Sequence, residues 1–191
     1  MNNEDLKKII LLGLENRELI GAILEETDPE LIKKNILAIS EHEVNEVLRP
    51  YVLSLSPMIG DYHLMFSGGK ILADVTARVP KVGTEIELSY AFTVRELKFD
   101  ATSRMISAEY KESVKTESTI AKMALATLGL GGGSLLQKGL SLAAKDAAYV
   151  TGDTISLNLS AIEAMKKVPD ELTLSYVGAD EGLLKLGFLW E

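Results

Sequence analysis

The stretch EIELSYAFTVR, residues 85–95, decides the fold of this chain. Its apolar residues recur at every second position, which is the period of a β-strand, because successive side chains of a strand point to opposite faces. One face carries Ile86, Leu88, Tyr90, Phe92 and Val94, and the other carries Glu85, Glu87, Ser89, Ala91, Thr93 and Arg95. The pattern predicts a strand with one face in a core and the other in water.

Similar alternation extends to both sides of this strand. The predicted strands cover residues 62–66, 71–79, 85–95 and about 104–115, the last with Ile106, Ala108, Tyr110 and Val114 on its apolar face. Ser67-Gly68-Gly69-Lys70 is typical of a tight hairpin turn. A change of apolar parity at Leu97 and Phe99 predicts a β-bulge near Arg95–Glu96. Because the turns between the strands are short, we expect an antiparallel meander.

The end of the chain repeats this kind of pattern around a short helix. We predict strands over residues 154–159, 172–177 and 183–190. Between the first two, a helix over residues 161–167 is predicted to begin with Ser160 as its cap and Glu163 three positions later.

The first 50 residues have a helical period instead. They predict an amphipathic helix over residues 4–25 and a second helix from Thr27-Asp28-Pro29-Glu30 to about Leu37. Ser40 and Glu43 form a capping box for a third helix, which is expected to stop before Pro50. We therefore divide the chain into an acidic helical extension, residues 1–38, and an α+β sheet-and-helix domain, residues 39–191.

The most apolar segment is residues 117–149, in which Gly129-Leu130-Gly131-Gly132-Gly133 interrupts a helical pattern. Two interpretations stay open: two apolar helices joined by a glycine elbow, or one long helix packed against the sheet. A phosphate-binding loop is disfavoured, because no strand precedes the glycines and no Gly-Lys-Ser/Thr occurs.

Composition excludes several functions. The formal net charge is −8, which repels phosphates and disfavours a nucleic-acid partner. The chain has no cysteine, so thiol nucleophiles, disulfides and zinc-thiolate sites are excluded. No uncharged run approaches the ~20 residues that cross a bilayer, so we expect no transmembrane segment and a cytoplasmic protein, at most peripheral to a membrane.

Nothing in the sequence indicates catalysis. The nucleophile pattern G-x-S-x-G does not occur, and the nearest approach to a metal-binding set is Asp61 with His63, two residues apart on one strand. A lone pair of this kind is more often solvated. We therefore predict no catalytic residue, no metal and no cofactor.

The helix opening Ile39-Ser40-Glu41-His42-Glu43-Val44-Asn45-Glu46-Val47-Leu48 resembles one that recurs in bacterial tubular-lipid-binding (TULIP-like) domains. The meander over residues 61–115 and the ending from Ile155-Ser156-Leu157-Asn158 to the hairpin around Gly182 look similar too, so the resemblance covers residues 39–191. It implies a curved sheet that wraps a long apolar helix, here residues 118–147, with an acyl chain in the gap. No site residue is carried over from it.

The fold class that we predict is α+β, with an antiparallel curved sheet wrapped on one or two apolar helices. The expected function is non-catalytic binding of a lipid-like or other apolar ligand in a groove between sheet and helix. The residues assigned to that groove are Leu88, Tyr90, Phe92, Leu125, Leu128, Leu136 and Leu140. The alternative is an interaction or assembly module that binds a protein or a second copy of itself. An enzyme that uses paired carboxylates ranks last.

Overall fold

The computed structural model describes residues 7, 23–24, 27–78, 85–115, 119, 134–143 and 147–190. These residues form mostly antiparallel sheet with few helices, in agreement with the predicted α+β class. The strands are β1 (Ile36–Ser40), β2 (Ile59–Ser67), β3 (Lys70–Arg78), β4 (Glu85–Phe99), β5 (Arg104–Lys115), β6 (Ala148–Thr151), β7 (Thr154–Asn158), β8 (Leu172–Asp180) and β9 (Leu183–Trp190). The helices are α1 (Pro29–Lys33), α2 (Glu41–Leu55), α3 (Leu135–Ala143) and α4 (Glu163–Lys166).

All nine strands belong to one sheet, and β4 is the strand that joins its two parts. The meander β2–β3–β4–β5 is confirmed, and it continues through β7 to β6. The last residue of β4, Phe99, pairs with Leu174 of β8, and β8 continues through β9 to β1. The register shift between Val94 and Glu96 confirms the predicted bulge, which lies between the part of β4 that pairs with β3 and the end that pairs with β8.

The first hairpin turn has the predicted glycine geometry. Gly68 and Gly69 have φ values of 59° and 74°, which is the left-handed conformation that both central residues of a type I′ turn require. Gly152 also has a positive φ, 63°, in the turn between β6 and β7. That hairpin was not predicted, because residues 148–149 were included in the apolar helical segment. The helical prediction was wrong for residues 148–149, which belong to β6. This strand is only four residues long, and it forms its backbone hydrogen bonds with β7.

The sheet has two hydrophobic cores. We call the side of β2–β7 that carries Leu88 and Tyr90 the inner face, and its opposite side the outer face. The buried inner-face cluster consists of Ala73, Ile86, Leu88, Tyr90, Ala108, Tyr110 and Ile155. The second cluster, at the β8–β9 end, consists of Phe99, Val168, Leu172 and Phe188, with Trp190 packed against it. Val114 was expected on the apolar face of β5, but 40 % of it is exposed because it lies near the end of the strand.

The N-terminal part departs from the predicted helices. The helix expected to reach Leu37 is wrong beyond Lys33, where α1 ends. Asn35 has a φ of 59° and turns the chain, and the next five residues form β1 on β9. Isoleucine-rich sequence favours a strand once a partner strand is present. Strand β1 spans the predicted boundary between the helical extension and the sheet-and-helix domain, at residues 38/39. Residues 36–38 are therefore part of the sheet. The helix predicted over 4–25 lies almost entirely outside the described residues.

Two other helix predictions are corrected. The capping box of Ser40 and Glu43 is confirmed, but α2 continues through Pro50 to Leu55 instead of stopping. An internal proline costs a helix about 3 kcal/mol, and the contacts of α2 with β2 offset that cost. Near residue 160, Asn158 caps a single turn over residues 159–161, so the predicted cap at Ser160 is wrong.

The free edge of β1 is covered by a side chain. The buried Thr27 hydroxyl accepts a hydrogen bond from the Ala38 amide at 3.1 Å and lies 3.0 Å from the Ala38 carbonyl oxygen. Covering edge groups in this way disfavours pairing with another strand at Ala38. Within the part of the chain that the structure describes, no helix has the length and apolar character needed to cross a membrane.

Candidate functional site

The inner face carries the larger of the two hydrophobic clusters formed by the described residues. Strands β2 to β7 each place apolar side chains on it, and α3 packs against it beside β6 through Leu135, Leu136 and Leu140. Around the buried cluster, further apolar side chains are only partly buried: Leu64, Val75, Ala77, Phe92, Val150 and Leu157. The alternation read from residues 85–95 therefore produces a sheet with one polar and one apolar face.

Five of the seven residues assigned to the groove meet on this face. Leu88 and Tyr90 are buried in β4, Phe92 is partly buried beside them, and Leu136 and Leu140 reach the same cluster from α3. The other two, Leu125 and Leu128, lie outside the described residues. The structure thus brings the strand residues and the helix residues together, although they are more than 40 positions apart in sequence.

Three aromatic rings line up across the inner face. The Tyr90 and Phe92 ring centroids are 6.0 Å apart, and those of Phe92 and Tyr110 are 6.4 Å apart. Burial raises the pKa of Tyr90 well above its ordinary value, and the neighbouring Glu112 and Tyr110 raise it further. Tyr90 therefore stays neutral, and its ring contributes apolar surface.

The groove residues predicted from the sequence did not include Glu112, the charged residue of this site. It lies opposite Tyr90 in the ladder between β4 and β5, and therefore projects from the inner face. Its carboxylate accepts hydrogen bonds from the Leu135 amide at 3.0 Å, the Leu136 amide at 2.8 Å and the Ser134 hydroxyl at 3.1 Å. A signal was present, because Glu112 occupies an apolar-parity position between Tyr110 and Val114.

The outer face holds a polar cleft of about 200 Å³ at its β2–β4 side. His63 lies opposite Asp74 there, and Asp61 makes an ion pair with Arg49 at 2.9 Å. Asp74 accepts a hydrogen bond from the Ser89 hydroxyl at 2.6 Å. Across the described ranges, no three His, Asp or Glu side chains are arranged to hold a metal ion. Asp61 and Asp74 thus have a cationic and a hydroxyl partner, as expected of a solvated sheet face.

A second polar cleft, of about 310 Å³, lies beside Arg104. The Arg104 side chain is only 11 % exposed and is directed at the backbone of the α4–β8 connection. Its guanidinium donates to the carbonyls of Met165 and Val168, and it lies 4.9 Å from the centre of the Phe99 ring. Through these contacts Arg104 joins β5 to the second cluster.

The helix opening that carries the family resemblance has a structural role. The Asn45 carboxamide donates to the Leu64 carbonyl at 2.9 Å and accepts from the Leu64 amide at 2.8 Å, as a neighbouring strand would. The Phe66 amide donates to the Glu41 carboxylate, and the Phe66 carbonyl accepts from the Gly182 amide at 3.0 Å. These contacts cover the free edge of β2 and hold α2 beside it.

No partner or cofactor is indicated by relatives of known function. Comparisons of the chain with family models, with curated proteins and with solved structures find no match.

Proposed function

We propose that this chain binds a lipid-like or other apolar ligand on the inner face, between the sheet and α3. The observation that carries the proposal is the row of partly buried apolar side chains around the inner-face cluster, with an amphipathic helix lying on it. Apolar side chains that the fold leaves only partly buried supply the kind of lining that an apolar ligand requires.

The size of the helix contact indicates what kind of ligand fits. Lifting Leu135, Leu136 and Leu140 off the sheet costs about 2 kcal/mol each, or about 6 kcal/mol together, since burial of a leucine side chain is worth about 1.5–3 kcal/mol. Each buried methylene contributes about 0.8 kcal/mol. A chain of about eight methylenes therefore offsets the loss of these leucine contacts, whereas a small apolar solute does not.

The resemblance to TULIP-like domains supports the same ligand class. The wrapped helix that this resemblance implies corresponds to residues 118–147, which include α3. The apolar face of α3 and the alternating strands beneath it are the features that such a site requires. Under this proposal Leu88, Tyr90, Phe92, Leu136 and Leu140 contact the acyl chain.

Native mass spectrometry of gently purified protein, together with uptake of a fluorescent fatty acid, tests the proposal. Matched bulky variants locate the site: Ala77→Trp adds an indole to the inner face, whereas Thr76→Trp adds it to the outer face of the same strand. We expect Ala77→Trp to lower fatty-acid uptake and Thr76→Trp to leave it unchanged. Absence of any bound lipid together with absence of uptake would contradict lipid binding, and equal effects of the two variants would contradict this location.

Self-association is a second candidate function, and two exposed residues favour it. Val177 and Leu189 are 50 % and 59 % exposed on the side of β8 and β9 opposite the second cluster. A Cβ atom at Gly187 would lie 3.5 Å from Val177, which places Val177 and Leu189 on the same side as Gly187. In a symmetric dimer this patch would face its own copy.

Light scattering over a range of protein concentrations tests this candidate. We expect a dimer that Leu189→Lys converts to a monomer, with Lys185→Leu as a variant that strengthens it. A monomer at all concentrations would remove the candidate.

A further inference from the structure

Glu112 is a carboxylate on an otherwise apolar sheet face, and apart from Tyr90 on the same face its partners lie at the start of α3. The two amides that it binds, those of Leu135 and Leu136, belong to the first turn of the helix, where no intrahelical acceptor exists. Ser134 caps the same turn by accepting from the Gln137 amide at 3.2 Å, and its hydroxyl donates to Glu112. The carboxylate therefore joins the helix start to β5.

We propose that Glu112 is the latch that holds α3 closed over the inner face. The inference rests on the proposed function, because the latch controls the route by which an apolar ligand reaches the sheet. Leucine contacts are non-directional and allow α3 to slide or lift, whereas charge-assisted hydrogen bonds fix one geometry. The positive end of the helix dipole strengthens the attachment, since a carboxylate at a helix N-terminus is favourably placed.

The location of the latch sets which part of the face it controls. Glu112 is paired with Tyr90 in the ladder, and Tyr90 is paired with Ala73 of β3. These three residues form one row across the inner face. Ala148 of β6, the strand that α3 contacts, is 6 % exposed, and it lies opposite the inner-face residue Leu157, so a thiol placed there reports whether α3 covers this side of the face.

Because the chain has no cysteine, an introduced thiol is the only one that a thiol reagent can alkylate. Ala148→Cys introduces a single thiol on the inner face, and its alkylation rate measures how often α3 leaves that face. In this background we compare Glu112→Gln with Glu109→Gln, since Glu109 lies on the same strand, on the outer face, paired with Arg95 at 2.5 Å. Glutamine preserves the size of the side chain and removes its charge in both variants.

We expect Glu112→Gln to accelerate alkylation about tenfold, as for the loss of one hydrogen bond to a charged group. Hydrogen exchange at the Leu135 and Leu136 amides is expected to accelerate by a similar factor. Glu109→Gln should change neither rate. Association of Nile red, which is neutral and therefore indifferent to the removed charge, should be faster in Glu112→Gln than in the parent.

The outcomes separate the latch from the proposed function. Equal alkylation and exchange rates in Glu112→Gln and Glu109→Gln would overturn the latch, whatever Nile red does. Faster alkylation without faster Nile red association, in a parent that binds the dye, would also overturn it as a control of ligand entry. Faster alkylation and exchange in a protein that binds neither Nile red nor fatty acid would support the latch and overturn the proposed ligand. If Glu112→Gln does not fold, Ser134→Ala takes its place, because it removes the hydrogen bond between the Ser134 hydroxyl and Glu112. It is expected to give a smaller acceleration of the same kind, and no acceleration would overturn the latch.

Discussion

Replacing Asn45 by alanine removes the side chain that covers the edge of β2. The carboxamide makes two hydrogen bonds to the backbone of Leu64, at 2.8 and 2.9 Å, and donates to the Glu41 carbonyl at 2.7 Å. Without Asn45 the Leu64 amide and carbonyl have no other strand to pair with, because β3 pairs with the opposite edge of β2. Each of the two hydrogen bonds to Leu64 is worth about 1–1.5 kcal/mol.

We expect the free energy of unfolding to fall by about 2 kcal/mol in Asn45→Ala. The two hydrogen bonds contribute about 2.5 kcal/mol, and the better helix propensity of alanine returns about 0.5 kcal/mol. Asn45→Asp should be destabilised more than Asn45→Ala. Its carboxylate still accepts from the Leu64 amide, but it sets a negative charge against the carbonyls of Leu64 and Glu41.

Urea denaturation followed by the emission of Trp190, the only tryptophan, measures these differences. Glu46→Ala is the matched control, because Glu46 is exposed on the same helix. Hydrogen exchange at the Leu64 amide gives a second, local readout, and it should accelerate in Asn45→Ala but not in Glu46→Ala. The reasoning is refuted if Asn45→Ala loses no more stability than the control and Leu64 keeps its protection.

Three other perturbations have expected outcomes. Gly182→Ala should lower the urea midpoint by an amount that corresponds to about 1–2 kcal/mol, because Gly182 has a φ of 76°. Gly178→Ala should leave the midpoint unchanged, because a Cβ atom at Gly178 would have no neighbour within 4 Å. Burial raises the pKa of Tyr62 to about 12, so the neutral phenol stabilises the fold fully below pH 10, and this contribution is lost as the pH rises towards 12. Stability followed by circular dichroism should therefore fall less at alkaline pH in Tyr62→Phe than in the parent. Arg104→Ala should lower the free energy of unfolding measured in urea by about 2–3 kcal/mol, because it leaves backbone carbonyls without a donor. Asp170→Ala should lower it by less than about 1 kcal/mol, because Asp170 is 76 % exposed. Equal losses in the two variants would contradict this difference.

The meander was predictable because its information is local. Period-two alternation, the Gly68-Gly69 turn and the parity shift before Leu97 each specify backbone geometry within a few residues. For the same reason β4, β5, β8 and β9 lie close to their predicted ranges. The predictions failed where a partner strand decided the outcome: β1 and β6 are short, and both exist because β9 and β7 provide their ladders.

The candidate site was predicted only in part. Hydrophobic parity assigned Leu88, Tyr90 and Phe92 to one face, and the helical period assigned Leu136 and Leu140 to another element. That the two sets meet is a consequence of packing. Glu112 was missed because its role depends on the start of α3, which is 22 residues away along the chain. In sequence it looks like a surface acid in a strand rich in charge.

By itself, the sequence determined which residues can be apolar, which can turn and which chemistries are excluded. Strand parity made one face of the sheet apolar, and the lack of cysteine excluded thiol chemistry. The tertiary structure alone decided what covers each edge and each face. Asn45 and Thr27 satisfy strand edges, and Glu112 holds a helix on the inner face, because a buried or half-buried backbone amide or carbonyl must find a partner wherever the fold brings one within reach.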